Sequence, residues 1–319
     1  MILTLTANPS HDRTVELGGP LERGAVIRAE SVTSQAGGKG VNIARASVAA
    51  GVPSVAVLPA HGDDPFVIEL LAAGIDCRPV PHDGTLRVNI TITEPDGTTT
   101  KLNSPGPHLG EAVLRDLGDA LRRRTAGADW TVLAGSLPPG VHPEWYAELA
   151  VMLRDAGGRV AVDTSDAPLQ ALVAALPAAA PDLMKPNGAE LASFTGADPD
   201  VLEADPEAAA EAARTLVDQG VGAVLATLGP HGAVLVTTGG AWHAAPPPTT
   251  VVSTVGAGDS SLFGYLLGDL RGLPPARRLA LAVAYGSAAA GLPGTTIPRP
   301  DQVNVDLVAV RELDLFSGV

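Results

Sequence analysis

The stretch Trp130-Thr131-Val132-Leu133-Ala134-Gly135-Ser136 decides the fold. Its first five residues are almost wholly apolar and do not alternate with polar ones, the mark of a strand buried on both faces. Gly135-Ser136 ends it, a helical pattern fills 143–156, and a second apolar run at 159–162 stops at Asp163-Thr164. The beat continues in both directions. Helices are expected at 111–124, 167–174, 187–194 and 206–219, with strands at 182–184 and 223–227. Such alternation implies an α/β fold, a mostly parallel sheet with helices on both faces. Toward the N-terminus, strands at 2–7, 54–58 and 76–79 and helices at 41–50 and 65–73 join it. Toward the C-terminus come strands at 233–236 and 240–243, helices at 260–270 and 275–290, and a short helix near 300–310.

Some strands break the beat. Segments 13–17 and 25–34 are short and partly polar, and 86–93 returns through Glu94-Pro95-Asp96-Gly97 into 98–102 as a hairpin with one solvated face. These predict a small sheet projecting from the body as a lid, with its strands within about 12–36 and 86–103. Gln35-Ala36-Gly37-Gly38-Lys39-Gly40 reads as a flexible loop. No linker divides the chain, so one domain over 1–319 is expected.

Composition narrows the function classes. The 319 residues are 45% hydrophobic, enough for a large core, and carry a net charge of -14. An acidic surface repels nucleic acid, so no nucleic-acid partner is expected, and any phosphate site has to be built locally. The single cysteine, Cys77, has no internal partner and reads as a small buried residue. No apolar run suits a membrane span and the N-terminus reads as a strand, so the expectation is a cytoplasmic protein with no membrane partner. Basic residues are nearly all arginine; the lysines are Lys39, Lys101 and Lys185. A compact ammonium kept at Lys39 and Lys185 suggests a specific use.

Ligands of an open parallel sheet bind at the carboxyl ends of its strands. The residues just past each strand are therefore informative: Asn8 and Asp12, Gly135-Ser136, Asp163-Thr164, Lys185-Pro186-Asn187 with Glu190, and Thr227-Leu228-Gly229. In Val252-Ser253-Thr254-Val255-Gly256-Ala257-Gly258-Asp259-Ser260-Ser261, a glycine-flanked turn opens a helix. Its free N–H groups form an anion seat. Asp259 beside that seat either caps the helix or accepts a proton from an attacking hydroxyl. Asn187 and Glu190, three apart at a helix start, suit either a capping box or a water-mediated Mg²⁺ corner. Gly37-Gly38-Lys39-Gly40-Val41-Asn42 is either an ordinary turn or a place where ligand meets backbone, and Arg87 is either a solvated strand residue or half of a phosphate clamp with Lys39.

In this order and spacing, Gly37-Gly38-Lys39-Gly40-x-Asn42, Lys185-Pro186-Asn187-x-x-Glu190 and Ser253-Thr254-Val255-Gly256-Ala257-Gly258-Asp259 resemble the ribokinase-like (PfkB-type) carbohydrate kinases. Thr6-Ala7-Asn8-Pro9 with Asp12, Arg87-Val88-Asn89 and Gly135-Ser136-Leu137-Pro138-Pro139-Gly140 support the resemblance. It implies a three-layer α/β/α body with a β-lid that often clasps a second copy, so a homodimer through the lid is expected. It also implies transfer of the γ-phosphate of ATP, with Mg²⁺, to a sugar hydroxyl. Carried over by motif, Asp259 is the general base and Gly256, Ala257 and Gly258 form the anion hole. Lys185, Asn187, Glu190, Thr227, Gly229 and Gly232 lie on the ATP side, with Asn187 and Glu190 near Mg²⁺ through water. Asp12, Gly37, Gly38, Lys39, Asn42, Arg87, Asn103 and Ser136 line the substrate side. Ser253-Thr254, where ribokinase has Asp-Thr, points to the phosphofructokinase-like branch, and thus to fructose 1-phosphate as acceptor. Tagatose 6-phosphate or fructose 6-phosphate are the alternatives, and a non-catalytic sugar-phosphate sensor is a more distant one. Phe263 and His11 depart from the residues usual in the family at their positions.

Overall fold

The computed structural model describes residues 1–315; the last four residues of the expected 1–319 domain lie outside it. In chain order, its strands and helices begin with β1 (Ile2–Thr6), β2 (Ser10–Leu17), β3 (Ala29–Gly37), α1 (Lys39–Ala49), β4 (Ser54–Pro59), α2 (Pro65–Ala72) and β5 (Asp76–Val80). The hairpin β6 (Arg87–Thr93) and β7 (Thr99–Leu102) precedes α3 (Glu111–Thr125), β8 (Trp130–Ala134), α4 (Trp145–Asp155), β9 (Val160–Asp163) and α5 (Asp166–Ala174). Then come β10 (Leu183–Met184), α6 (Gly188–Thr195), α7 (Pro199–Ala204), α8 (Pro206–Asp218), β11 (Ala223–Thr227), β12 (Ala233–Thr237) and β13 (Gly240–Ala245). The chain closes with α9 (Ala257–Leu270), α10 (Pro275–Ala290) and β14 (Ala309–Leu313).

Ten strands form one sheet in the order β14-β13-β12-β11-β10-β9-β8-β1-β4-β5, and β3-β2-β6-β7 form a second. From β11 to β5 every pairing in the large sheet is parallel, while β12, β13 and β14 add antiparallel strands at one edge. Because side chains alternate along a strand, each central strand feeds two cores. Leu3, Leu5, Val55, Val57 and Leu133 pack on the α3–α4–α8 side. Ile2, Trp130, Val132 and Ala134 pack on the side of α9 and α10, with Ile43 of α1. Cys77 is buried, and burial raises its thiol pKa to about 11. Among the described residues, no helix is long and apolar enough to cross a membrane.

Two expectations are corrected and one helix is added. Residues 35–40 are not a flexible loop: β3 runs to Gly37 and α1 starts at Lys39, leaving only Gly38 between them, at φ 122. The corner is gripped, since the Glu69 carboxylate accepts from the Ala36 N–H and Arg45 donates to the Ala36 carbonyl and to Glu69. The expected helix near 300–310 is two short 3₁₀ turns and the edge strand β14, which pairs with β13. Helix α7 was not anticipated, although Asp198-Pro199 is a helix-start pair and the Asp198 side chain accepts from the Asp200 N–H.

Helices α9 and α10 meet at a glycine. A methyl group on Gly264 would lie 2.5 Å from the Leu281 carbonyl oxygen and 2.8 Å from the Ala282 Cα, both backbone atoms that cannot swing aside. One residue away, Phe263 is fully buried, its ring edge-on to Tyr285 at 5.2 Å. The Phe263 departure is thus absorbed between these two helices. Gly264→Ala is expected to cost about 1–3 kcal/mol through overpacking, read as a lowered urea midpoint; an unchanged midpoint would show that the helices part freely.

Candidate active site

The carboxyl ends of β1, β8, β9, β10 and β11 converge with the N-termini of α1 and α9. At the centre is Asp163, the last residue of β9 and fully buried. Its Oδ1 accepts from Lys39 Nζ at 2.7 Å, and its Oδ2 pairs with Lys185 Nζ at 3.2 Å. Burial opposes ionisation of Asp163, but the two ammonium groups outweigh it and hold its pKa below the usual carboxylate range. Lys39 is desolvated too, yet Asp163 and then Asp259 more than offset this, and its pKa is raised.

The N-cap of α9 is Gly256, whose φ of 78 is left-handed; a Cβ there would meet nothing within 4 Å, so conformation and not space requires glycine. Asp259 lies in the first turn and is not the cap, because its Oδ2 accepts from Asn42 Nδ2 of α1 at 2.7 Å. Burial first, and then the nearby Asp163 charge, raise the Asp259 pKa to about 6, with Lys39, Asn42 and Lys185 pulling the other way. Lys185 reaches the same turn, since a Cβ on Gly258 would lie 3.3 Å from its Nζ. The first N–H groups of a helix have no partner in the helix itself. Among the described residues, the Ala257 N–H makes only a long 3.4 Å bond, to the Thr254 carbonyl. The turn therefore presents donors, an ammonium and a buried carboxylate together.

On one flank, the smaller sheet brings Asp12, Asn89 and Arg87 to the cleft. Asp12 Oδ1 accepts from Ser10 Oγ at 2.7 Å and from Asn89 Nδ2 at 3.0 Å. Gly37 is glycine because Asp12 lies against it: a Cβ would sit 2.1 Å from Asp12 Oδ2. Arg87 donates to the carbonyls of Asn8 and Ser104, whereas Lys39 is committed to Asp163, so the two cations of the expected clamp have different partners. Burial lowers the Arg87 pKa and Asp12 restores part of it. Ser136 accepts from Asn8 Nδ2 at 3.5 Å, and Asn103 is exposed just beyond β7. His11 faces away from Asp12, edge-on to Phe66 at 5.5 Å and 3.9 Å from Asp64.

On the other flank, Asn187 and Glu190 form a reciprocal capping box: the Glu190 N–H donates to Asn187 Oδ1 at 2.8 Å and the Asn187 N–H to Glu190 Oε2 at 2.9 Å. Burial raises the Glu190 pKa, with the Asn187 N–H and then Lys185 opposing. Thr227 is joined to this corner through its N–H, which donates to the Pro186 carbonyl at 3.0 Å. Gly229 is left-handed at φ 50. Gly232 is glycine on two counts, a φ of 89 and a Cβ position 2.0 Å from the Ala244 carbonyl oxygen. Among the described residues, no group of three or more His, Cys, Asp or Glu could hold a metal by itself.

Residues 6–302 match the family described as pfkB family carbohydrate kinase. The chain belongs to that family. It is therefore a phosphotransferase with a hydroxyl acceptor. It is 40% identical over 308 residues to the 1-phosphofructokinase of Rhodobacter capsulatus, covering 95% of this chain and 94% of that one. To the 1-phosphofructokinase of Escherichia coli it is 35% identical over 292 residues, covering 90% of each. The solved phosphofructokinase-2 of Escherichia coli in complex with substrates and products superimposes with a TM-score of 0.86 at 31% identity, over 94% of this chain and 96% of that one. Ribokinase of Arabidopsis thaliana, at a TM-score of 0.72 and 21% identity over 94% and 96% of the two chains, shares the fold.

Sequence reasoning marked Asp163 and Asn8 by their place past a strand and Asn89 by its motif, but gave none of the three a role in the site. The available signal was position, since Asp163 and Asn8 both stand at the carboxyl end of a parallel strand. Asp163→Asn removes the charge that two ammonium groups share, one of them only 5% exposed. Its expected cost is about 3–5 kcal/mol, measured by equilibrium urea unfolding. A cost near zero would mean that the lysines do not depend on Asp163.

Proposed function

We propose that this chain transfers the γ-phosphate of ATP to fructose 1-phosphate, giving fructose 1,6-bisphosphate and ADP. The observation that carries this is Asp259: a buried carboxylate of raised pKa, oriented by Asn42, in the first turn of α9 beside Lys185. The relatives named 1-phosphofructokinase, at 35–40% identity over most of the chain, support the choice of acceptor.

In this reading Asp259 takes the proton of the attacking sugar hydroxyl, whose oxygen bonds to the γ-phosphorus as the bond to the ADP oxygen breaks. The N–H groups of Gly256, Ala257 and Gly258, with Lys185, stabilise charge on the transferring group, which is the main catalytic demand of phosphoryl transfer. Lys39 steadies Asp163 and Asp259 and approaches the phosphates. Asp12 orients the sugar, Arg87 takes its phosphate, and Gly37, Gly38, Asn103 and Ser136 complete that side. Among the described residues, the amide oxygens of Asn8, Asn42 and Asn89 are buried without partners, which suits them to accept hydrogen bonds from sugar hydroxyls. Thr227, Gly229 and Gly232 belong to the nucleotide side.

Mg²⁺ fits the Asn187–Glu190 corner. The donors are oxygens, the capping box leaves Glu190 Oε1 uncommitted, and Mg²⁺ prefers one or two carboxylates with waters and substrate phosphates over an all-protein cage. When bound, it neutralises phosphate charge; Asn187 and Glu190 would hold it through water.

The smaller sheet then acts as a lid of a single kinase domain, excluding water from the transfer. Val32 of β3 and Leu102 of β7 leave apolar surface exposed on it, which supports a second copy clasped there; a monomeric mass in sedimentation equilibrium would remove that clasp. A second acceptor, fructose 6-phosphate, is favoured by the likeness to phosphofructokinase-2 of Escherichia coli, solved in complex with that sugar, at a TM-score of 0.83 and 29% identity.

A coupled assay of ADP release across fructose 1-phosphate, fructose 6-phosphate, tagatose 6-phosphate and free fructose should give the highest kcat/KM on fructose 1-phosphate. Preference for another sugar would reassign the acceptor, and no turnover on any phosphosugar would overturn the kinase reading. The base must be ionised, so kcat/KM is expected to fall about tenfold per pH unit below the Asp259 pKa of about 6. Removing the Asp163 charge takes away a group that raises this pKa, so in Asp163→Asn the acid limb should move to lower pH. A limb that stays in place would detach Asp259 from it.

A further inference from the structure

We infer that Glu203 is a nucleotide-contacting residue whose carboxylate accepts hydrogen bonds from the ribose hydroxyls of the phosphate donor. The inference rests on the assignment of the Asn187 and Thr227–Gly229 segments to the nucleotide side.

Glu203 is the next-to-last residue of α7 and is exposed. It lies between two glycines, one from each of those segments. A Cβ on Gly229 would sit 2.3 Å from Glu203 Oε1, and a Cβ on Gly188 would sit 3.3–3.4 Å from the Glu203 N, Cα and Cβ atoms. The two segments are themselves joined, as an isolated parallel bridge links Asn187 to Thr227. The carboxylate thus lies across the turn after β11, at the carboxyl edge of the sheet.

Among the described residues, no ion pair or hydrogen bond engages the Glu203 carboxylate, although its acidic neighbours find partners: Glu207 pairs with Arg311, and Asp205 caps α8. The carbonyl end of a helix is also the unfavourable end for an anion, and α7 has no basic residue in its last turn. A carboxylate only accepts hydrogen bonds, so it repels phosphate and suits a donor of hydroxyl protons. In a nucleotide, the vicinal ribose hydroxyls fill that description. Glu203 thereby becomes a specificity residue, distinguishing ribonucleotides from their deoxy forms.

The test is calorimetric binding of ADP and of 2′,3′-dideoxy-ADP to wild type, Glu203→Gln and Glu203→Ala, which reads nucleotide affinity without turnover. Wild type should bind ADP about tenfold more tightly than the dideoxy form, the scale of a hydrogen bond to a charged group. Glu203→Ala should weaken ADP about tenfold on the same grounds and bring the ratio near one, with Glu203→Gln between. KM for fructose 1-phosphate should not change. A variant that keeps the wild-type ratio, or a wild type that does not discriminate, overturns the role of Glu203 and leaves the kinase reading intact. Loss of phosphoryl transfer in wild type strikes the kinase reading instead, while the two binding ratios still decide the role of Glu203.

Discussion

The charge-sharing of Asp163 with Lys39 and Lys185 is the constraint on which the cleft depends. A carboxylate at the end of a parallel strand, fully desolvated, is tolerable only if paired. Its two partners come from different elements, Lys39 from the first turn of α1 and Lys185 from the end of β10. Meeting that demand fixes α1 against β9 and β10, and with it Asn42, which holds Asp259. The same charge that organises the lysines also opposes ionisation of Asp259. One group thus serves structural pairing and adds to the proton affinity that burial has already raised.

The cleft also reconciles an acidic chain with an anionic substrate. A net charge of -14 would repel phosphates at long range. Locally, Lys39 and Lys185 offset Asp163 and Asp259, and the first turn of α9 adds backbone donors that carry no counter-charge of their own. Attraction is confined to the strand ends, where the fold opens.

Much of the architecture was legible in the chain itself. Trp130–Ala134 and the beat around it specified doubly covered strands, because an apolar run without alternation cannot face water. The Asp259 motif marked the start of α9, since Gly256 permits the left-handed turn that opens it. The misreadings share a cause. Gly37-Gly38 looked like a flexible loop because glycine has two uses; here one accommodates Asp12 and the other makes a single sharp corner braced by Arg45 and Glu69. Residues 309–313 pair only because the edge of β13 is available, information that no local pattern carries.

The sequence by itself determined the α/β class, the strand ends where ligands gather and the family, since these arise from hydrophobic periodicity and from motifs whose chemistry is local. Only the tertiary structure decided which partner each polar residue takes. Asp259 accepts from Asn42 and does not cap its helix, Asn187 and Glu190 do close a capping box, and Asp163 is the shared partner of two lysines. The physical reason is that a polar side chain's role is set by its partner, and these partners, apart from the capping box, lie far away in the chain and meet only when the sheet forms.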